Sequence, residues 1–262
     1  MIGIAIANSI GSRRPGGPSF DADYQSVLNY ATTQGYTLPS AGQQTLQNQL
    51  LVDLKAGGIW TKLDTFSVFA TDGDSDFALI DWKRLSQYTA VNSPTFTTND
   101  GFLGNGTSSY INSNFNPASS GVNYTLNDAS IFIYNKTFLA NAFITGVEVA
   151  AFNCIRMSPS SGNQRINMGS GGIFVPLIDF DSSTFKWRTI SRTSATNAVA
   201  SKNTTQTTHT AASVSIDPQP QLVLRSFSNY AAINVAVFGM GASLVSENTE
   251  FYNAINTYIT SL

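Results

Sequence analysis

Charged side chains are scarce in this chain. Lys, Arg, Asp and Glu make up 11% of its 262 residues, against roughly 25% in an ordinary soluble domain. Fourteen basic and sixteen acidic side chains nearly cancel, so there is no basic field to hold a phosphate backbone, and no nucleic-acid partner is expected. Long apolar runs are also missing: no stretch approaches the ~18 residues that a membrane span needs. The single cysteine, Cys154, excludes an intrachain disulfide and a cysteine-based metal site. The single histidine, His209, excludes a His-rich zinc or iron site. Glutamate occurs three times, at Glu148, Glu247 and Glu250, which leaves acid–base catalysis little to draw on. No enzyme activity and no cofactor are expected from such a set.

Small neutral polar groups take the place of charge. Ser (31), Thr (27) and Asn (23) outnumber the 30 charged residues more than twofold. Hydrophobic residues still make 42% of the chain and aromatics 11%, which excludes a disordered polypeptide. A surface built from hydroxyls and amides can hydrogen-bond to neighbouring subunits or sugars with little dependence on salt.

The chain divides by its local grammar. Residues 1–18 read as an extended arm that breaks at Pro15-Gly16-Gly17-Pro18. They do not read as a secretory signal, because Arg13 and Arg14 follow the apolar stretch instead of leading it. Residues 19–88 have helical spacing. Asp21 caps a first helix with Tyr24, Val27, Leu28 and Ala31 on one face and Gly35 at its end. Ser40 with Gln43 forms a capping-box pattern ahead of Leu46, Leu50 and Leu54, and Gly57-Gly58 ends that helix. A last short helix is expected over 77–85, capped by Asp76.

Residues 89–262 change to short β-rich runs separated by Asn, Gly, Ser and Pro, the pattern of an antiparallel β-sandwich. Expected strands are Ser130–Tyr134, Val147–Ile155, Phe185–Arg192, Gln221–Arg225 and Ala232–Phe238, with Gln164–Met168 as a weaker one. Ser246 is expected to cap a closing helix over 246–262. Its stripe of Phe251, Ile255, Tyr258, Ile259 and Leu262 docks on the body, with a burial gain of about 7–15 kcal/mol before chain entropy.

The run from Leu63 to Pro117 contains TAVNSPTFTTNDGFLGNGTSSYINSNFNP. It resembles the entry strands of a family of bacteriophage virion proteins, in which a short helical segment leads into a laminin G-like, concanavalin A-like jelly roll. Gly101, Gly104 and Gly106 supply its turns, and Tyr110 and Ile111 return to the core. YTLNDASIFIY, WRTISRT, VAVFGMGASL and FYNAINTYITSL are similar to later pieces of that family in the same order. The likeness covers about residues 20–262, apart from 138–184, which align poorly.

The resemblance implies a mainly β fold, an antiparallel β-sandwich preceded by a small helical segment and closed by a helix. It implies a component of the particle surface, such as a capsid decoration, head fibre, spike or receptor-binding protein. The arm and helical segment would bind other virion proteins, a homo-oligomer is expected, and host-surface glycan is a further partner. Polysaccharide depolymerisation is a weaker alternative.

Each candidate for chemistry has a plainer reading beside it. Asp72, Asp74 and Asp76 alternate like the first half of a calcium loop, but Phe77 and Lys83 stand where the loop requires Gly and a bidentate acid. A loop that ends in a helix cap fits better. Asp179 and Asp181 flank Phe180 and can share a strand face, as in jelly-roll glucanases, which use Glu for both roles. A turn or strand end is the default. His209 lies in a Thr-rich hairpin or loop with no nucleophile motif, and Cys154 reads as a small buried hydrophobe. Trp60 and Trp82 read as core. Trp187 is either core or a face for sugar, with core favoured. Asn105, Asn123, Asn135 and Asn203 match the glycosylation pattern, which has no consequence in a bacterial cytoplasm.

Overall fold

A computed structural model describes residues 20–137, 144–148, 155–156, 163–166, 173–176, 187–210, 212–213 and 215–262. The chain enters through helices α1 (Ala22–Gln34) and α2 (Ala41–Ala56), and a tight turn at Trp60–Lys62 leads into strand β1 (Leu63–Val68). A one-turn helix α3 (Ser75–Ala78) and a small hairpin, β2 (Ile80–Asp81) with β3 (Ser86–Gln87), follow. Next come β4 (Thr89–Val91), β5 (Thr95–Thr97), β6 (Gly101–Leu103), β7 (Tyr110–Asn112) and the one-turn helix α4 (Pro117–Ser120). The chain continues through β8 (Ala129–Asn135) and β9 (Thr145–Gly146). Strands β10 (Ile155–Arg156), β11 (Asn163–Ile166) and β12 (Ile173–Pro176) form a separate antiparallel sheet. The last part holds β13 (Trp187–Arg192), β14 (Asn197–Lys202), β15 (Thr205–Thr210), β16 (Leu222–Val223), β17 (Arg225–Ser226), β18 (Asn229–Tyr230), β19 (Asn234–Gly241) and helix α5 (Asn248–Thr260).

Two sheets make the sandwich. The larger runs β15-β14-β13-β8-β19-β6-β5, with β1 also paired to β19; the smaller runs β4-β7-β16-β9. Every pairing between described strands is antiparallel. The expected mainly β fold, an antiparallel sandwich with short N-terminal helices and a C-terminal helix, is what forms.

Side-chain parity shows how the layers share the central strands. Along β8, Ile131 and Ile133 enter a core with Ile111 and Val223 of the smaller sheet. Phe132 and Tyr134 point the other way, into a second core with Tyr24, Leu50 and Phe251 of the helices. Alternation with period two puts successive residues on opposite faces. All seven residues of β8 are buried because both faces are covered. In β19 the pairing with β8 shifts between Val235 and Val237. Val235 and Phe238 accordingly face the sandwich, while Ala236 and Val237 face the helices.

Burial also selects the helix faces. Tyr24, Val27, Leu28 and Ala31 of α1 are buried, Asp21 accepts from Asp23 N–H, and Gly35 ends the helix with φ 79°. Ser40 Oγ accepts from Gln43 N–H, but the Gln43 side chain does not complete a capping box. It turns inward to accept from Thr71 and Asp72 and to donate to Asn99, and Asp72 takes the Ser40 N–H instead. Gln47 ties the helical layer together. It accepts from the Tyr24 hydroxyl and donates to Thr71 and to Tyr258, whose own hydroxyl donates to Ala70 O. Burial raises both tyrosine pKa values well above the ordinary phenol value.

Three local expectations are corrected. Residues 63–68, placed in the helical segment, form β1 inside the larger sheet. The helix expected over 77–85 is the single turn α3 followed by the β2–β3 hairpin, and its cap is Asp74 rather than Asp76. The reason is Asp81, a fully buried carboxylate that accepts from Thr65 Oγ1 and from the N–H groups of Phe66, Lys83 and Arg84. Those bonds fix a turn where a helix would have to continue. Helix α5 starts at Asn248 after Glu247, which makes no side-chain cap and instead pairs with Lys62 at 2.7 Å. The arm over 1–18 lies outside the described residues.

Candidate ligand-binding face

The expected strand Gln221–Arg225 is interrupted. Leu224 takes a left-handed conformation (φ 68°) and splits it into β16 and β17. The chain then doubles back through Phe227-Ser228 into β18, with Arg225 opposite Tyr230. Phe227 also has positive φ (55°), at the first central position of a two-residue turn, where glycine is the usual occupant. A left-handed residue other than glycine costs on the order of 1–2 kcal/mol, and such strain gathers at ligand-contacting sites.

Neighbouring backbone holds the hairpin in this shape. Leu224 N–H donates to Ile144 O, Phe227 N–H to Val147 O and Ala231 N–H to Leu224 O, at 2.7, 2.7 and 2.8 Å. Gly146 lies directly beneath: a Cβ there would come within 2.1 Å of Ser226 Oγ and 2.9 Å of Ser226 Cα. Only glycine lets the hairpin sit this close.

The hairpin displays a compact aromatic and charged group. The Arg225 guanidinium lies 4.6 Å from the Tyr110 ring centre and 5.2 Å from that of Tyr230. The two rings are 6.2 Å apart and inclined at 50°. Arg225 Nε donates back to Phe227 O at 2.9 Å, and Nη1 donates to Glu148 Oε1 at 3.2 Å. Phe227 is 42% exposed at the tip. Cation–π contact and the fold-back bond hold the guanidinium plane in one orientation. Flat rings beside fixed donors and an exposed carboxylate suit a ligand with one apolar face and several hydroxyls. Arginine and glutamate cancel in charge, which favours an uncharged ligand.

Sequence reasoning passed over this group. Its signal is the string RSFSNY, two aromatics separated by small polar residues across a turn, where a buried Phe would not be placed. From sequence, Tyr110 reads as a core residue. It does pack against that core, but its ring also meets Arg225.

The residues singled out from sequence do not converge on a site. Asp72 accepts from Ser40 N–H, Asp74 from Thr37 and Phe77 N–H, and Asp76 from Gln87 Nε2, so each carboxylate has a structural partner. No cluster of three metal-ligating side chains occurs among the described residues. Trp187 is fully buried, with its ring centre 5.6 Å from Phe132 and 4.7 Å from Phe251, so it offers no face to a sugar. Trp60 and Trp82 are core as well. His209 sits half-buried in β15, opposite Ala198, and partial burial lowers its pKa. Asp179, Asp181 and Cys154 lie outside the described residues. Asn105 accepts from three successive backbone N–H groups, and Asn123 donates to Asp64. Asn135 accepts from Arg188 and Asn203 from Trp187 N–H. These four asparagines are thus used in turns and buried contacts. No described helix is long and apolar enough to cross a membrane.

No family model matches the sequence, and no curated protein matches it. Among solved structures, 87 chains match. One belongs to work on the dependence of botulinum neurotoxin type C cell entry on two ganglioside molecules, and superposes with a TM-score of 0.51 at 11% identity. A tryptophan mutant of HCR/D gives the same TM-score and identity. Each match covers 76% of this chain and 53% of the other, so this chain spans about half their length. Trypanosoma rangeli sialidase in complex with sialic acid matches with a TM-score of 0.49 at 9% identity, over 83% of this chain and 40% of the sialidase. At such identities the likeness of the first two shows the fold alone, a β-sandwich shared with these proteins.

Proposed function

We propose that this protein is a non-enzymatic binding module on the surface of a bacteriophage particle, where it recognises saccharide on the host cell. The observation that carries the binding role is the hairpin face of Tyr110, Arg225, Phe227 and Tyr230. It is strained, anchored through Gly146 and exposed at its Phe227 tip, and it combines half-buried aromatic rings with a held guanidinium. The phage setting rests on the resemblance of Leu63–Pro117 to virion proteins. Attachment to the particle is assigned to the N-terminal arm and helical segment. A homo-oligomer suits this role, because multivalent display raises avidity for weakly held sugars. The depolymerase alternative rests on Asp179 and Asp181, which lie outside the described residues.

The test is a glycan array with the full chain, beside the variants Tyr230→Ala and Arg225→Met. Selective signal with the wild type and its loss in both variants is the expected result. A blank array for an oligomeric preparation that also fails to bind whole host cells would refute the binding role. Particle imaging tests the location separately: density for this sandwich on the virion surface is expected, and loss of incorporation on removing residues 1–18 would assign the arm.

A further inference from the structure

A cleft of about 580 Å³ opens where the end of the larger sheet meets the last turn of α5. Asn234, Asp100, Lys136, Tyr134, Leu103 and Ile259 are among its walls. Asn234 begins β19 and is 7% exposed. Its backbone N–H donates to Thr137 Oγ1 at 2.7 Å, and its carbonyl accepts from Lys136 N–H at 3.0 Å. The residue is therefore fixed from both sides, yet among the described residues its side-chain Oδ1 has no hydrogen-bond partner. Buried amide oxygens are normally paired, and an unpaired one calls for an explanation.

The surrounding groups narrow what can fill it. Lys136 Nζ donates to Asn99 O at 2.5 Å and to Asp100 Oδ1 at 3.1 Å, so the cleft carries both signs at short range. An anion would have to lie beside Asp100, and a cation beside Lys136. The amide oxygen accepts only from a donor, which an ionised carboxylate or phosphate lacks. Leu103, 39% exposed, and Ile259 supply apolar wall. Burial pushes the Tyr134 hydroxyl up to about 12, so it stays a neutral donor and acceptor.

We propose that this cleft is a second binding site, separate from the hairpin face, for a neutral saccharide of about one to two rings, a size that suits small-molecule pockets of this volume. A ring hydroxyl donates to Asn234 Oδ1 once the carboxamide turns about its soft terminal torsion. A neighbouring hydroxyl accepts from Lys136 Nζ, and the C–H face of the ring packs on Leu103 and Ile259. Asp100 accepts from a further hydroxyl at the mouth.

The test is calorimetric or saturation-transfer titration of the full chain with a neutral hexose, an N-acetylhexosamine and a hexuronic acid. One of the two neutral sugars should bind with a Kd of about 1–10 mM. Leu103→Trp, which blocks the mouth from an exposed position, should abolish the binding that remains in Tyr230→Ala without altering Tm. Asn234→Leu should weaken it about tenfold, the loss of one hydrogen bond to ligand. Tyr230→Ala removes only the hairpin face, so binding at the cleft should persist in that variant. If Asn234→Leu does not fold, Leu103→Trp still decides. Preference for the hexuronic acid, failure of both neutral sugars, or equal binding by Tyr230→Ala with and without Leu103→Trp would overturn the proposal. Loss of binding in Tyr230→Ala alone would place the sugar on the hairpin face and overturn it as well.

Discussion

Phe251→Ala in α5 tests whether the helical layer and the sandwich unfold together. The Phe251 ring is fully buried, with its centre 4.7 Å from both Phe132 of β8 and Trp187 of β13 and edge-on to each. Removing a buried Phe costs about 3–5 kcal/mol, part of it from the cavity left behind. Alanine is the better helix former by about 0.5 kcal/mol, which offsets a little of the loss. The net expectation is about 3–4 kcal/mol. With a urea slope of about 2–3 kcal/mol per molar, the unfolding midpoint should fall by about 1–2 M.

Two probes separate the layers. Trp60, Trp82 and Trp187 all lie in the helix-facing core, so tryptophan fluorescence reports that core, whereas the β-sheet amide I band in the infrared reports the strands. Because β8 and β19 give residues to both cores, both signals should shift together. A drop in the fluorescence midpoint with an unchanged infrared midpoint would refute the reasoning and make the helices a separately folding layer. A shift of less than about 1 kcal/mol in both would refute the packing argument itself.

Other outcomes follow from single residues. Burial raises the pKa of Asp81 above its ordinary 3.8 despite the hydrogen bonds it accepts. The folded state therefore holds that proton more tightly than the unfolded chain, and the linked stability is full below pH 3.8 and is lost as pH rises through the raised value. Across a pH series in urea, the wild type should lose stability relative to Asp81→Asn as pH rises, and parallel profiles would contradict this. Phe227→Gly relieves a left-handed residue, so stability should hold or rise by about 1 kcal/mol while glycan binding falls; a large drop in Tm would mean that the ring is structural. Asp74→Ala removes the acceptor of two N–H groups and should cost about 1–2 kcal/mol. Calcium should leave the wild-type melt unchanged, and a calcium-dependent rise in Tm would overturn the structural role given to the Asp72–Asp76 loop.

Local rules that need only near neighbours could be read from the sequence. The caps at Asp21 and Ser40, the stop at Gly35, the apolar faces of α1 and α5 and the strand over Ser130–Tyr134 depend on short-range spacing, and the structure holds all of them. The low charge fixed another property early: a sandwich whose polar surface rests on hydroxyls and amides. Covering of a strand on both faces was not readable. The sequence leaves Trp187 either core or a face for sugar, with core favoured. It enters the helix-facing core because helices cover the side that an ordinary sandwich leaves to solvent, and Arg188 on the opposite face is buried as well. The capping-box pattern at Gln43 also failed, because Thr71 and Asn99, distant in sequence, compete for its amide.

Both candidate sites belong to this second kind of information. Tyr110 and Arg225 lie 115 positions apart in sequence, and they meet only because β7 and β16 pair and Leu224 turns the chain. Asn234 and Asp100 come together through the β6–β19 pairing. Sequence determines which side chains are available and which local bends they favour. Long-range strand register decides which of them face one another, and that register depends on the whole fold.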